Sequence, residues 1–261
     1  MGWRDIYERR RMRPGKALRA VKRGQRVFVG SACAEPRALV NALLDRADDL
    51  HDVEILHFVT LSAATYTEQR FDKRFRHNAF FVGPSTRQAL NQGRADYTPV
   101  FMHEIGDLFA SRQVPLDVAL IQVSPPDQHG FVSLGIGVDV ARAAAENARH
   151  VIAQVNSNMP RTMGNTYLPV SAIDAFVEQD EELMEFPWPE PDEVGQRIAE
   201  NAAKLIDDGD CLHIGYGQIP YLVLSQLFNK RNLGMHTEVV SDAVMDLIES
   251  GVITGSQKTH L

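Results

Sequence analysis

The stretch from Gly209 to Asp242 narrows the possible folds of this chain more than any other. Asp208-Gly209 is a turn signal, Cys211–Ile214 a short apolar run that reads as a buried strand, and Gly215 with Gly217 a tight loop. Pro220 then opens Tyr221–Phe228, an apolar run with helical spacing. Proline suits the first position of a helix, where its missing N–H has no partner to lose. Met235–Val240 reads as a second strand, and Ser241-Asp242 as the cap of a helix Ala243–Glu249. Strand, glycine loop, helix and strand make a βαβ unit, whose right-handed crossover lays the strands parallel. The Gly215 loop and Glu238 then share the carboxyl edge of the sheet, where open α/β sheets bind ligands.

The same grammar stands near the N-terminus. Gly24 and Gly30 are separated by the same six positions as Gly209 and Gly215. Arg26–Val29 reads as a strand, Gly30–Glu35 as a loop, Pro36 as the opening of a helix Arg37–Leu44, and Val53–Val59 as the next strand. An internal repeat, two domains on one βαβ plan, is expected. Between the repeats the alternation continues, with strands at Ala79–Val82, Val118–Val123, Phe131–Leu134 and Val151–Val155 and helices at Pro84–Asn91 and Val138–Ala148. Val118–Val123 reads as an apolar run, broken only by Gln122, of the kind a parallel strand covered on both faces shows.

The acidic run Glu178–Glu185 and the proline-rich Phe186–Pro191 interrupt this pattern and place a stiff linker there. The expected organisation is an N-terminal α/β domain over 1–184, a linker over 185–193 and the start of a second α/β domain over 194–261. Val194, Ile198, Ala202, Leu205 and Ile206 form one apolar stripe on a helix that begins near Pro191-Asp192-Glu193. Only about seventy residues follow the linker, enough for a marginal core, so the second domain is expected to be incomplete.

Composition excludes several classes. A net charge of −7 disfavours nonspecific nucleic-acid binding, and no apolar run reaches membrane-spanning length. The arginines at 9, 10, 11 and 13 read as a solvated helix face. The two cysteines, Cys33 and Cys211, form no CxxC pair, which points to a reducing cytoplasm rather than a disulfide framework. No HExxH or Cys/His cluster with ligand spacing occurs, so no metal site is expected.

Glu238 is the sharpest chemical candidate: a carboxylate at a strand end serves as nucleophile, general base or metal ligand. The plainer alternative is a surface glutamate capping the next helix. Gly215-Tyr216-Gly217-Gln218-Ile219-Pro220 offers backbone N–H groups to an anionic or carbonyl oxygen, or is simply a turn that needs glycine. It is not GxGxxG, and no GxxxxGK[ST] occurs, which argues against a dinucleotide dehydrogenase and an NTPase. Cys33 reads as a buried, inert thiol more readily than as a stabilised thiolate. His129 reads as a turn residue and His236 as a strand residue, and the absence of GxSxG leaves no serine triad to infer.

Taken together, Val29-Gly30-Ser31, Ala34-Glu35-Pro36, Ser124-Pro125-Pro126-Asp127, His129 to Gly135, Gln154-Val155-Asn156, Met159 to Thr162, the Gly215–Pro220 loop and His236-Thr237-Glu238 make a specific pattern. With these motifs the chain resembles the acetyl-CoA hydrolase/transferase family, in particular its 4-hydroxybutyrate and butyryl-CoA:acetate CoA-transferase branch. The resemblance implies two similar α/β domains with mostly parallel sheets, Glu238 as catalytic nucleophile and Gly215, Tyr216, Gly217, Gln218 and Ile219 as the coenzyme A loop. It implies a CoA-transferase acting on short-chain acyl-CoA and a carboxylate such as acetate, without metal, cytoplasmic and homo-oligomeric. Two alternatives remain open: an acyl-CoA hydrolase using the same glutamate, and a non-catalytic acyl-CoA-binding module. The family usually has glycine after the aspartate of Ser-Asp-Gly, where this chain has Ala243; a left-handed turn there would cost alanine about 1 kcal/mol. Family chains also continue past position 261 with a second glycine-rich loop, so this piece alone is expected to hold only part of the pocket and to be inactive if that part is essential.

Overall fold

The computed structural model describes residues 2–62, 64–186 and 191–258, and the chain divides into two compact units, Met1–Phe186 and Pro187–Leu261. Of the expected linker 185–193, residues 187–190 lie outside the described residues. The first unit runs α1 (Trp3–Arg10), α2 (Pro14–Ala17), β1 (Arg26–Val29), α3 (Arg37–Leu44), β2 (Val53–His57), β3 (Phe75–Ala79), α4 (Pro84–Asn91), β4 (Ala95–Tyr97) and α5 (Met102–Ala110). It continues with β5 (Val118–Val123), β6 (Phe131–Ser133), α6 (Ala141–Asn147), β7 (His150–Val155), β8 (Tyr167–Pro169) and β9 (Ala175–Glu178).

Seven strands form one parallel sheet in the order β4-β3-β2-β1-β5-β7-β9, while β6 and β8 pair antiparallel beside it. Alternate residues feed opposite faces, as the period of a strand requires. Val27, Val29, Ile55, Val118 and Leu120 pack with Leu39 and Leu43 of α3 on one side. Phe28, Leu56, Ala119, Ile121 and Val123 meet Ile105 and Phe109 of α5 and Ala144 of α6 on the other. All six residues of β5 are buried, which explains why five of them are apolar; the sixth, Gln122, has both ends of its amide hydrogen-bonded. The chain lays β2, β3 and β4 to one side of β1 and then returns to place β5 on the other, so the direction in which strands are added switches at β1 while all of them stay parallel.

Several expected elements shift. The strand expected at Ala79–Val82 is β3, which ends at Ala79, and the strand expected to reach Val59 stops at His57. The helix expected at Val138–Ala148 is shorter, Ala141–Asn147. Of the acidic run, Glu178 closes β9, accepting the Tyr7 hydroxyl at 2.8 Å. The segment beyond is tied down by Asn156, whose Nδ2 donates to the Gln122 amide oxygen at 2.7 Å and the Glu181 carbonyl at 2.9 Å. The N-terminal arginines are not merely solvated: Arg10 donates to the Ser171 and Ile173 carbonyls, and Arg11 pairs with Glu178.

The second unit runs α7 (Glu193–Ala203), β10 (Cys211–Leu212), α8 (Gln218–Leu224), β11 (Gly234–Met235) and α9 (Asp242–Glu249). Asp192 caps α7 by accepting the Gly195 N–H at 2.6 Å. The buried stripe of α7 is not the bulky one expected. Val194, Ile198 and Leu205 are exposed, and Gly195, Ala199 and Ala203 face inward. Small residues there let α8 approach closely: a Cβ on Gly195 would lie 3.3 Å from Leu222 and 3.4 Å from Ile219. Leu212, Leu224, Leu227, Leu233, Val244 and Leu247 form the core of this unit. β10 pairs parallel with β11, as β1 does with β2, so both units carry a parallel βαβ element. No described helix is long and apolar enough to cross a membrane.

Candidate active site

β10 ends at Leu212 and β11 at Met235, and because they are parallel the segments 213–217 and 236–241 leave the same edge of the sheet. Both strands are shorter than expected. His236 and Glu238 are not strand residues; they lie in the segment just past β11. α8 likewise starts at Gln218, which puts Pro220 at its third position rather than its first. Proline is tolerated there because the N–H groups of a first turn have no intrahelical partner. Gly217 is the N-cap with φ +144°, a conformation that L side chains rarely adopt, so this glycine is required by the backbone.

Thr237 determines where Glu238 stands. Its hydroxyl accepts the Ile214 N–H at 3.1 Å and donates to the Ile214 carbonyl at 2.7 Å. That one side chain stitches the residue before Gly215 to the residue before Glu238. In the sequence Thr237 has no role beyond its place in a motif: it reads there as a strand residue, and its partner lies 23 positions away. Glu238 itself is exposed and helps line an open hollow of about 400 Å³ together with Cys211, Leu212, His213, His236 and Thr237. Gly215 to Ile219 do not line that hollow, although Gly215 follows directly on Ile214. A side chain on Gly215 would meet nothing within 4 Å, so the loop presents open backbone there.

The position after Asp242 carries no strain. Ala243 is the second residue of α9, not among the residues with positive φ, and its side chain is buried in the core of this unit. Alanine therefore replaces glycine at no conformational cost.

In the first unit the loop after β1 holds Cys33 and Glu35. Burial pushes the partly buried Cys33 thiol upward, with Glu185 adding to the effect, so it remains a thiol rather than a thiolate. Glu35 is buried, and its carboxyl is raised by that burial against hydrogen bonds from Thr60 and Ser62. Thr60 Oγ1 donates to it at 2.7 Å, and Gln122 Nε2 donates to its backbone carbonyl at 3.1 Å, which fixes this loop against β5. In the sequence Glu35 stands out only as part of the Ala34-Glu35-Pro36 motif. His129 sits in a turn whose N–H is held by Asp127. Among the described residues no group of three His, Cys, Asp or Glu side chains is arranged to hold a metal ion.

Comparison with known proteins follows the same division of the chain. Residues 1–186 match the model of the acetyl-CoA hydrolase/transferase N-terminal domain. The 4-hydroxybutyrate coenzyme A transferase of Clostridium kluyveri is 46% identical over 259 residues, which are 99% of this chain and 60% of that protein. The succinyl-CoA:acetate/propanoyl-CoA:succinate CoA transferase of Fasciola hepatica is 41% identical over 245 residues, 91% of this chain and 50% of its own length. The crystal structure of RipA from Yersinia pestis superposes with a TM-score of 0.94 at 33% identity, covering 100% of this chain and 63% of that one. The chain thus spans between half and two thirds of the length of these relatives, and by the match over its first 186 residues it belongs to the acetyl-CoA hydrolase/transferase family.

Proposed function

We propose that this protein moves coenzyme A from a short-chain acyl-CoA to a carboxylic acid such as acetate, through a covalent thioester on Glu238. The observation that supports the reading is the double hydrogen bond between Thr237, the residue before Glu238, and Ile214, the residue before Gly215. The relatives' names supply the reaction class.

A Glu238 carboxylate oxygen attacks the thioester carbonyl carbon, the C–S bond breaks, and an acyl-glutamyl anhydride forms with release of CoA thiolate. The thiolate attacks the glutamyl carbonyl, expelling the donor's carboxylate and leaving glutamyl-CoA. The acceptor carboxylate then repeats the two steps in reverse, which regenerates Glu238. Each step passes through a tetrahedral oxyanion. One well-placed N–H donor from Gly215 to Ile219 would contribute about 3–4 kcal/mol to its stabilisation. Whether water or a carboxylate intercepts the intermediate separates a transferase from a hydrolase, and exclusion of water decides it. The reading places the enzyme in the cytoplasm as a metal-free homo-oligomer.

Incubation with an acyl-CoA, borohydride reduction and peptide mass spectrometry test the covalent step. The expected product is reduction confined to the peptide carrying Glu238, with acetyl-CoA formed once acetate is added. Hydrolysis without acetyl-CoA would favour the hydrolase, CoA binding with no adduct the binding module. Full turnover by Glu238→Gln would end both enzymatic readings.

A further inference from the structure

β2 and β3 are parallel neighbours, so a crossover must join them, and among its described residues there is no α-helix. Single 3-10 turns at Thr65–Thr67 and Gln69–Phe71 cover the sheet there instead. Between residues 64 and 74 only Ala64 and Tyr66 are buried; Phe71 packs partly buried on the same core, the Asp52 and Val53 N–H groups donate to the Lys73 and Arg74 carbonyls, and the Arg94 guanidinium donates to the Thr67 carbonyl. Tyr66 packs against His57 of β2 and His77 of β3, and each pair among the three rings lies 5.6 Å apart between centroids. The Tyr66 hydroxyl and His57 Nε2 are hydrogen-bonded at 2.8 Å. His57 is 0% and His77 2% exposed, and neither Nδ1 meets a hydrogen-bond partner among the described residues.

An imidazolium carries an N–H on each nitrogen, and a buried charged donor without an acceptor is costly. The closed strap therefore accepts neutral rings only. We propose that Tyr66, His57 and His77 form an acid-released latch: the strap 64–74 lies closed while both imidazoles are neutral and lifts when they take up protons.

The titratable and charged neighbours set the sign. Burial lowers His57 far below the ordinary imidazole value, with His77 adding to it, and lowers His77 to about 4 against the upward pulls of a hydrogen bond to the Ile55 backbone and of the Asp96 charge. Burial also raises Tyr66, with Glu35 acting in the same direction, so its hydroxyl stays protonated. Asp96 is half exposed and paired with Arg76. Histidines with lowered values in the closed form stabilise it above the ordinary value near ~6.5 and lose that contribution as pH falls toward about 4. Glu35, raised in the closed form, works oppositely, because its proton uptake favours closure as pH falls. Two histidines against one carboxyl leave a net uptake on opening of one to two protons, roughly 10- to 100-fold in the opening constant per pH unit.

Hydrogen exchange of the full chain, followed by mass spectrometry from pH 7.5 to 5 after correction for intrinsic rates, reads the latch directly. The amides of Thr67, Glu68, Phe71, Asp72 and Arg74 are hydrogen-bonded within the strap and report its opening. Their opening constant is expected to change little between pH 7.5 and about 6.5 and to rise about tenfold or more per pH unit below that, while β5 and β7 keep their protection. His77→Phe keeps a ring and removes one titrating group, so it should flatten the response by about one proton. If that variant does not fold, imidazole ¹⁵N NMR of the unaltered chain decides: His57 and His77 should stay neutral until the strap amides exchange. Protection of 64–74 that ignores pH, loss of protection throughout the sheet at once, or ordinary titration of both rings under a closed strap would each overturn the proposal.

Discussion

The Thr237 hydroxyl binds both backbone groups of Ile214, accepting its N–H at 3.1 Å and donating to its carbonyl at 2.7 Å. Two chain segments that leave neighbouring parallel strands are thereby held in one register at the carboxyl edge, and the side chain that follows Thr237 inherits that register. Thr237→Val keeps the shape and deletes the hydroxyl, leaving a partly buried N–H and C=O unpaired. A stability loss of about 1–3 kcal/mol is expected in urea unfolding. If the proposed chemistry is right, kcat/KM falls more than tenfold, and Thr237→Ser restores most of it.

Gly137 fills a place that no side chain fits. A Cβ there would come within 2.2 Å of the Ala34 Cβ, so the loop after β6 rests directly on the loop after β1. Gly137→Ala must push the two apart, at an expected cost of about 1–3 kcal/mol, which calorimetry would record as a clear drop in Tm.

Asp127 has its carboxyl held below the ordinary range, first by the Phe131 N–H, then by the His129 N–H and by the Arg161 charge. A carboxyl lowered in the folded state stabilises it above the ordinary aspartate value near ~3.9, and that contribution disappears as pH falls through the lowered folded value. Asp127→Ala removes acceptors for two backbone N–H groups and the Arg161 Nη2 contact at 2.9 Å. The variant should lose about 1 kcal/mol at neutral pH after solvent screening, and the difference from the parent should shrink in urea titrations toward pH 3.

Asp192 caps α7 through the Gly195 N–H. Asp192→Ala should cost about 1 kcal/mol, and Asp192→Ser much less, in thermal melts of the whole chain.

Much of this architecture was legible because glycine, proline and apolar runs mark strand and helix ends by mechanism. Arg26–Val29, Arg37–Leu44, Pro84–Asn91 and Val118–Val123 are found as read, each bounded by a turn signal or filled mostly by apolar residues. β3 was misplaced because its inward residues are Phe75, His77 and Ala79, and a buried histidine reads as polar. The α7 stripe was misread because bulk suggested burial, whereas contact with α8 demands small residues. At the candidate site Glu238 and the glycine loop were visible as residue types. The Thr237 bridge was not, because a hydroxyl's partner lies 23 positions away and only tertiary structure brings it near.

The central place of β1 also sets an order of assembly. Val27 pairs on one side with Ile55 but on the other with Val118, so the second edge of β1 stays open until some ninety more residues have been made. A nascent chain halted before β5 would display a bare apolar ribbon, Val27-Phe28-Val29, to every neighbouring polypeptide. Chaperone capture during synthesis, rather than any property of the finished molecule, is where this sheet order makes its demand.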